Sequence, residues 1–319
     1  MGAMRAVRRS PGARGGVALG EAEEPRARPD QAVVEVRAFS LNRGEVRAAA
    51  NGPEGQRIGW DVAGVVLQRA ADGSGPDPGT RVAAFLPAAD GWAERVAVTT
   101  RYLAAIPEGV TFQDAAALPV AGLTALFGLE RGGNVLAEPV LVTGATGGVG
   151  IYAVQLACLM GARVVAQVRR PEQVTWVEGA GPAEVVVDET GERLAEEGPF
   201  HLIFDGVGGE LLSRLLPRLK TRGTAVLYGV TGSPTASLPI GPLLGSGDAS
   251  VQGFNLYHQA RVQPAGPGLT RLLDLVQRGD LLTYVGRTGS WDEVGDVAAE
   301  LLERRFQGKA VLSLGGASP

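Results

Sequence analysis

Residues 140–150 read VLVTGATGGVG, a branched apolar run that ends in a turn almost free of side chains. Helix-like sequence follows from Ile151. A helix N-terminus carries unpaired N–H groups and the positive end of a dipole, so it suits a phosphate. Glycine lets the backbone approach that phosphate and supplies the tight turn from strand to helix. Gly144, Ala145, Thr146, Gly147, Gly148, Val149 and Gly150 are therefore the candidate pyrophosphate cradle. The pattern departs from G-x-G-x-x-G by placing Ala145 at the first position, with Gly144 just before it. On its own the turn is also compatible with a tight strand–helix connection that holds no ligand.

The next strand points to the nucleotide. A site for NAD usually has an acid about 20 residues on, bonded to the ribose 2′-hydroxyl. Here the strand Val164–Val168 ends in Arg169-Arg170, and the first acid is Glu172. Two guanidiniums suit a 2′-phosphate, which an acid would repel. The expected cofactor is NADPH. The bland alternative is that both arginines are solvated surface charge.

Other chemistry is sparse. Cys158 is the one cysteine, and His201 and His258 are the two histidines. Structural zinc takes about four Cys or His ligands and catalytic zinc about three protein ligands, so this chain is expected to hold no metal. Cys158 reads as a core residue and His201 as structural. His258 is a weak candidate proton donor. The formal net charge is -4 with no concentrated basic block, which gives no reason to expect a nucleic acid partner. Tyr228, Gly229, Phe254 and Asn255 end two later strands, at the carboxyl edge where open α/β sheets bind ligands.

Two kinds of element must position these residues. Short strands and regular turns fill the first third: 32–38, 62–67, 81–85 and 94–98, a pattern that predicts a barrel-like β domain. An Ala-rich helix over 112–118 and another over 124–131 follow. From Pro139 the pattern alternates. Strands are predicted at 140–143, 164–168, 184–187, 201–205, 224–228 and 250–254, with helices at 171–179, 192–197 and 210–220 between them. That is the signature of a doubly wound parallel sheet. Helices at 269–277 and 293–306 and a strand at 310–314 close the chain, and the Gly-, Pro- and Ser-rich stretch 234–247 reads as a loop. No apolar run is long enough to cross a bilayer, and no signal peptide is evident, so the cytoplasm is the expected location.

With these residues in place, the chain resembles the medium-chain dehydrogenase/reductase superfamily, and more narrowly its zinc-independent quinone oxidoreductase branch. The resemblance rests on Gly59-Trp60-Asp61-Val62-Ala63-Gly64-Val65-Val66, Gly91-Trp92-Ala93-Glu94, Ala116-Ala117-Leu118-Pro119 with Leu123-Thr124-Ala125, the glycine turn, Asp205-Gly206-Val207-Gly208-Gly209 and Gly308-Lys309-Ala310-Val311. It implies an α/β protein with a GroES-like β-barrel domain over 1–120, a Rossmann domain over 121–258, and a segment 259–319 that returns to the first domain. The Cys and His-Glu that zinc-dependent relatives carry are absent from Leu41–Glu45 and Gly59–Asp61.

The resemblance further implies hydride transfer from NADPH to a quinone or an α,β-unsaturated carbonyl, in a cleft between the domains. Without a metal, hydrogen-bond donors must stabilise the developing oxyanion. Asn42 occupies the position where this branch places an Asn facing the cleft. Arg47 falls near a position that is Tyr in some relatives, and Thr124, Arg43 and Trp60 are further cleft candidates. The small residues of Ala48–Gly52 would leave room for a bulky substrate. Relatives commonly dimerise by extending the cofactor-domain sheet, so a homodimer is expected. A biosynthetic tailoring enzyme on a bulky substrate and a low-turnover NADPH sensor or scaffold are the alternative readings.

Overall fold

The computed structural model describes residues 2–315. Its fifteen strands are β1 (Ala3–Arg9), β2 (Val17–Glu23), β3 (Gln31–Leu41), β4 (Asp61–Gln68), β5 (Arg81–Phe85), β6 (Arg95–Thr99), β7 (Leu103–Ala105), β8 (Pro139–Val142), β9 (Arg163–Val168), β10 (Glu184–Val187), β11 (Phe200–Asp205), β12 (Leu219–Leu227), β13 (Ser250–Gly253), β14 (Val285–Ser290) and β15 (Lys309–Ser313). The α-helices are α1 (Arg43–Ala50), α2 (Phe112–Ala116), α3 (Pro119–Leu129), α4 (Gly148–Leu159), α5 (Val174–Glu178), α6 (Gly209–Leu215), α7 (Ile240–Gly245), α8 (Leu256–Val262), α9 (Ala265–Gln277) and α10 (Val294–Leu302). The chain divides into two units, Met1–Leu123 with Ala260–Pro319, and Thr124–Gln259.

The first unit is built on a seven-stranded sheet in the order β14-β15-β3-β4-β5-β7, with β6 also paired to β3. All its pairings are antiparallel except β14 with β15. β3 is the hub: it alternates buried and part-exposed residues over its first half and pairs with β4, β6 and β15. Its register against β4 shifts twice, between Val33 and Val34 and between Val36 and Ala38, and such bulges bend a strand. The core behind it holds Val34, Phe39, Leu41, Val62, Trp92, Trp291 and Val297, with Phe39 and Trp92 stacked at 5.0 Å. β1 and β2 form a separate antiparallel pair.

The second unit is a six-stranded parallel sheet in the order β10-β9-β8-β11-β12-β13. Successive strands run outward from β8 on one side to β10, then restart at β11 on the other. The reversal between β8 and β11 is a topological switch point, where such sheets bind ligands at the carboxyl ends of their strands. One face packs Leu141, Val186, Phe200, Ile203, Leu211, Leu215 and Ala225 into a continuous apolar cluster.

Several expected boundaries moved for local reasons. The helix predicted over 210–220 ends early: α6 stops at Leu215, a single tighter turn holds Leu216–Arg218, and Leu219 and Lys220 already belong to β12. Pro217 lacks the N–H that would continue the helix. The predicted helix 192–197 is one short turn, Leu194–Glu196. The loop expected over 234–247 contains α7. β1, β2, β7, β14, α1 and α8 were not read from the sequence. Among the described residues no helix is long and apolar enough to cross a membrane.

Candidate nucleotide site and its polar neighbours

The glycine turn lies where the sequence reading puts it, between β8 and α4. Gly147 is the N-cap of α4 and has no side chain to satisfy the first turn. The leading N–H groups of a helix have no intrahelical acceptor, so those of Gly148, Val149 and Gly150 face outward for one. Gly144 adopts φ 60°, and its N–H is given at 2.8 Å to Oε1 of Gln167. Ala145 N–H donates to the Gln167 carbonyl at 3.0 Å. Gln167 is itself buried and also donates to the Asp188 carbonyl. The turn is thus pinned sideways to β9 through one side chain that the sequence reading passed over. Its signal was a polar residue inside the apolar strand Val164–Val168.

Gly150 serves packing. A Cβ there would stand 2.4 Å from the Gly144 carbonyl oxygen and 2.9 Å from Ala145 Cα, both backbone atoms. Only glycine lets α4 rise this close to β8, which is the role of the third glycine in dinucleotide turns. The arrangement fits a pyrophosphate: a bare helix start, a close backbone and no carboxylate at the turn.

Arg169 and Arg170 follow β9 directly. Their N–H groups donate to Oε1 of Gln173 at 3.0 and 3.1 Å, which fixes the backbone and leaves both guanidiniums pointing elsewhere. Arg169 stands 3.8 Å from Glu189 and Arg170 3.5 Å from Glu172, and all four side chains keep access to solvent. Such exposed pairs are weak enough for a phosphate to displace.

Across the switch point, the Thr143 hydroxyl donates to Asp205 Oδ1 at 2.6 Å and accepts the Gly206 N–H at 3.1 Å. Asp205 Oδ2 accepts the Gly208 N–H at 2.8 Å. Asp205 is fully buried, and burial pushes its carboxyl above the usual range against the pull of these donors. Tyr228 stacks on Phe204 at 4.3 Å, and burial, reinforced by the Asp205 charge, raises its hydroxyl above the usual tyrosine range. Gly206 admits this ring, since a Cβ would lie 2.5 Å from it. Gly229 follows it, half-buried. Phe254 is buried at the end of β13, while the exposed Asn255 caps α8 by accepting the N–H groups of Tyr257 and His258. His258 is exposed. His201 bonds the Gly132 carbonyl at 2.9 Å. Cys158 is half-buried rather than in the core, and its thiol, raised by burial, donates to the Gly181 carbonyl at 3.2 Å.

In the other unit, Asn42 is the N-cap of α1 and sits in a buried polar cluster. Its Nδ2 donates to Asp61 Oδ2 at 2.7 Å and to Glu45 Oε1 at 3.0 Å. Its Oδ1 accepts from Lys309 Nζ at 2.6 Å. Charge dictates this orientation, because an ammonium needs the oxygen and carboxylates need the hydrogens. Both amide hydrogens are therefore committed, which departs from the expected role of Asn42 as an oxyanion donor. Lys309 also reaches Asp61 Oδ2 at 3.3 Å and the Leu41 carbonyl at 3.1 Å. Glu45 further accepts the N–H groups of Asn42 at 2.7 Å and Trp60 at 2.9 Å. Burial, and next the Asp61 charge, raises the Glu45 carboxyl well above its usual range while Lys309 opposes the shift.

Arg47 is exposed on α1, Trp60 is half-buried, and Arg43 donates to the carbonyls of Leu301 and Leu302, each at 3.0 Å. Ala48–Ala50 ends α1, with Ala49 fully buried. Thr124 lies on α3, 6% exposed. Among the described residues no three His, Cys, Asp or Glu side chains gather as a metal site.

Comparison with known proteins agrees with this architecture. Residues 148–271 match the family model described as zinc-binding dehydrogenase. The chain is 31% identical over 266 residues to quinone oxidoreductase-like protein 2 of Bos taurus, covering 80% of this chain and 76% of that one. It is 36% identical over 309 residues to the spectinabilin polyketide synthase system protein NorB of Streptomyces orinoci, covering 92% of this chain but 14% of the much longer relative. In fold it matches a mycobacterial protein solved in complex with NADPH, with a TM-score of 0.84, 23% identity, and coverage of 97% and 99% of the two chains. The bare helix start at a parallel-sheet switch point, the mixed sheet of the other unit and these likenesses agree: the chain belongs to the medium-chain dehydrogenase/reductase superfamily, in its quinone oxidoreductase-like branch.

Proposed function

We propose that this protein is an NADPH-dependent, zinc-independent reductase that delivers hydride to a conjugated acceptor, a quinone or an α,β-unsaturated carbonyl. The observation that carries the reading is the pairing of a glycine turn at the switch point with two arginines, in place of an acid, at the end of the next strand. When bound, NADPH supplies the hydride. The protein then has to hold the dinucleotide, orient the acceptor and meet the negative charge that hydride addition leaves on its oxygen.

The first-turn N–H groups of α4 would hold the pyrophosphate, and Arg169 and Arg170 the 2′-phosphate. Gly144, Ala145 and Thr146 shape the approach, with Tyr228, Gly229, Phe254 and Asn255 toward the nicotinamide half. Arg47 on α1 and Thr124 on α3 are each proposed as a substrate contact. Asn42 orders the start of α1 and keeps only acceptor capacity.

A second reading, a tailoring reductase on a bulky biosynthetic substrate, is favoured by one observation. The 36% identity to the polyketide synthase system protein runs over 92% of this chain. It shares the cofactor and the hydride step, and differs only in the acceptor. For assembly we propose a homodimer through β13. This strand ends the sheet, and Val251 on it and Ile240 and Leu244 on α7 are exposed. We place the protein in the cytoplasm, where NADPH is supplied.

The test is calorimetric titration with NADPH and NADH, followed by NADPH oxidation with simple quinones, enones and enoyl thioesters. NADPH binding with turnover supports the reading. Failure of both nucleotides to bind would remove it. Binding without turnover on any acceptor would favour the sensor alternative. Light scattering on a sizing column tests the dimer.

A further inference from the structure

We propose that Asp205 biases the nucleotide site toward the oxidised cofactor, holding a positively charged nicotinamide more firmly than the neutral reduced ring. This rests on the cofactor assignment above. Asp205 is 0% exposed and ends β11 at the switch point. Its partners are the Thr143 hydroxyl and the N–H groups of Val207 and Gly208, all neutral. Among the described residues none of its partners is a cation.

A buried carboxylate held only by neutral dipoles keeps its field, because protein interior and solvent ions screen it poorly. That field reaches the next strand. After burial itself, the Asp205 charge is the next cause that raises the Tyr228 hydroxyl above the usual tyrosine range.

Strand order gives the field a direction. Arg169 and Arg170 follow β9, on one side of β8, so the phosphate-bearing adenosine half belongs there. The other half of the dinucleotide then runs toward the ends of β11 and β12, where Asp205 and Tyr228 lie. NADPH, when bound, would supply hydride to the acceptor while solvent supplies the proton, and the oxidised nicotinamide would carry a positive charge that the reduced ring lacks. A fixed negative charge near the ring binds that form better, and so favours hydride donation.

The experiment is calorimetric titration of NADP+ and NADPH into the wild-type protein and Asp205→Asn. The expected result is a loss of NADP+ affinity on the order of tenfold greater than the loss of NADPH affinity. Equal losses would show that Asp205 only shapes the turn, and no loss would show no role; either overturns the proposal. If the variant does not fold, the wild-type protein decides alone. It should bind NADP+ at least as tightly as NADPH. The ratio should stay constant from about 0.05 to 0.5 M salt, because the source is buried, while both affinities fall as the arginine contacts are screened. A wild-type preference for NADPH of more than about tenfold, or a ratio that drifts with salt, sinks it. Absence of binding by either form would instead take down the cofactor assignment itself.

Discussion

The Thr143 hydroxyl and the Asp205 carboxylate meet at 2.6 Å across the gap between β8 and β11, the point where the strand order reverses. The bond ties together the carboxyl ends of the two strands that flank the switch point, the place where open parallel sheets bind ligands. Its neighbours depend on it: Gly206 N–H donates to the same hydroxyl at 3.1 Å. Replacing Thr143 by Val keeps the shape but removes the donor to Asp205 and the acceptor for Gly206. A hydrogen bond to a charged group contributes about 1.5–3 kcal/mol, so Thr143→Val should lower unfolding free energy by about that much. Urea denaturation checks it, and a loss below about 0.5 kcal/mol would show that the pair carries little stability.

Arg169 and Arg170 are paired with Glu189 and Glu172 only at 3.8 and 3.5 Å. Replacing both arginines by Ala should weaken NADPH by about tenfold or more and leave NADH within about twofold, since charge-assisted bonds to a phosphate are the strong kind. The readout is the pair of dissociation constants. Equal loss for both nucleotides would refute the 2′-phosphate assignment. The salt dependence of NADPH binding should also flatten in the variant.

Gly150 has no room for a methyl group. Its added carbon would press on the Gly144 carbonyl at 2.4 Å, and backbone cannot rotate away as a side chain can. Gly150→Ala should cost about 1–3 kcal/mol of stability by overpacking and shift the start of α4. Nucleotide binding should weaken more than that loss alone explains, because the cradle itself moves. Wild-type affinity in this variant would mean that the phosphate is held elsewhere.

Much of the candidate nucleotide site was legible because its signals are local. A strand, a glycine turn and a helix start adjoin in sequence, and Arg169-Arg170 sit at the end of the next strand. What the sequence withheld is non-local. Nothing near Gln167 says that its amide will cross to Gly144, 23 positions away. Nothing near Asn42 says that its hydrogens will be taken by Asp61 and Glu45 and its oxygen by Lys309. That cluster forms because β15 pairs with β3 and β3 with β4, bringing residues from three distant stretches into one buried space. α1 escaped notice because Val46 is the one large apolar side chain in its eight residues, and its start is set by Glu45 reaching back to the Asn42 N–H.

The Asn42 geometry makes a kinetic prediction. If its amide hydrogens stabilised the oxyanion, Asn42→Ala would cut kcat by about 10²–10³. With those hydrogens already given to Asp61 and Glu45, the loss should appear in stability, and kcat at a temperature well below unfolding should fall less than about tenfold. Thr124→Val is the contrast, expected to lower kcat by about 10² or more with little change in NADPH affinity. The reverse pattern would restore Asn42 as the donor.

Glu45 ties stability to pH. Its folded carboxyl titrates well above the usual range, first because it is buried and then because Asp61 repels its charge. Below the unfolded value the group is protonated in both states and costs nothing. As pH rises, the unfolded chain ionises first, so the folded state loses ground until its own raised value is passed. The contribution of Glu45 to stability therefore falls between the usual carboxylate range and that raised value. Glu45→Gln removes this slope but leaves the Trp60 N–H, now 2.9 Å from Glu45 Oε2, facing an amide. The variant should be less stable than the wild type by about 1–3 kcal/mol near pH 4.5, with the deficit shrinking as pH rises. Guanidinium unfolding of both proteins at half-unit steps up to pH 8 measures it. A deficit that grows with pH would mean that Glu45 is held as a stabilised carboxylate, with Lys309 outweighing burial.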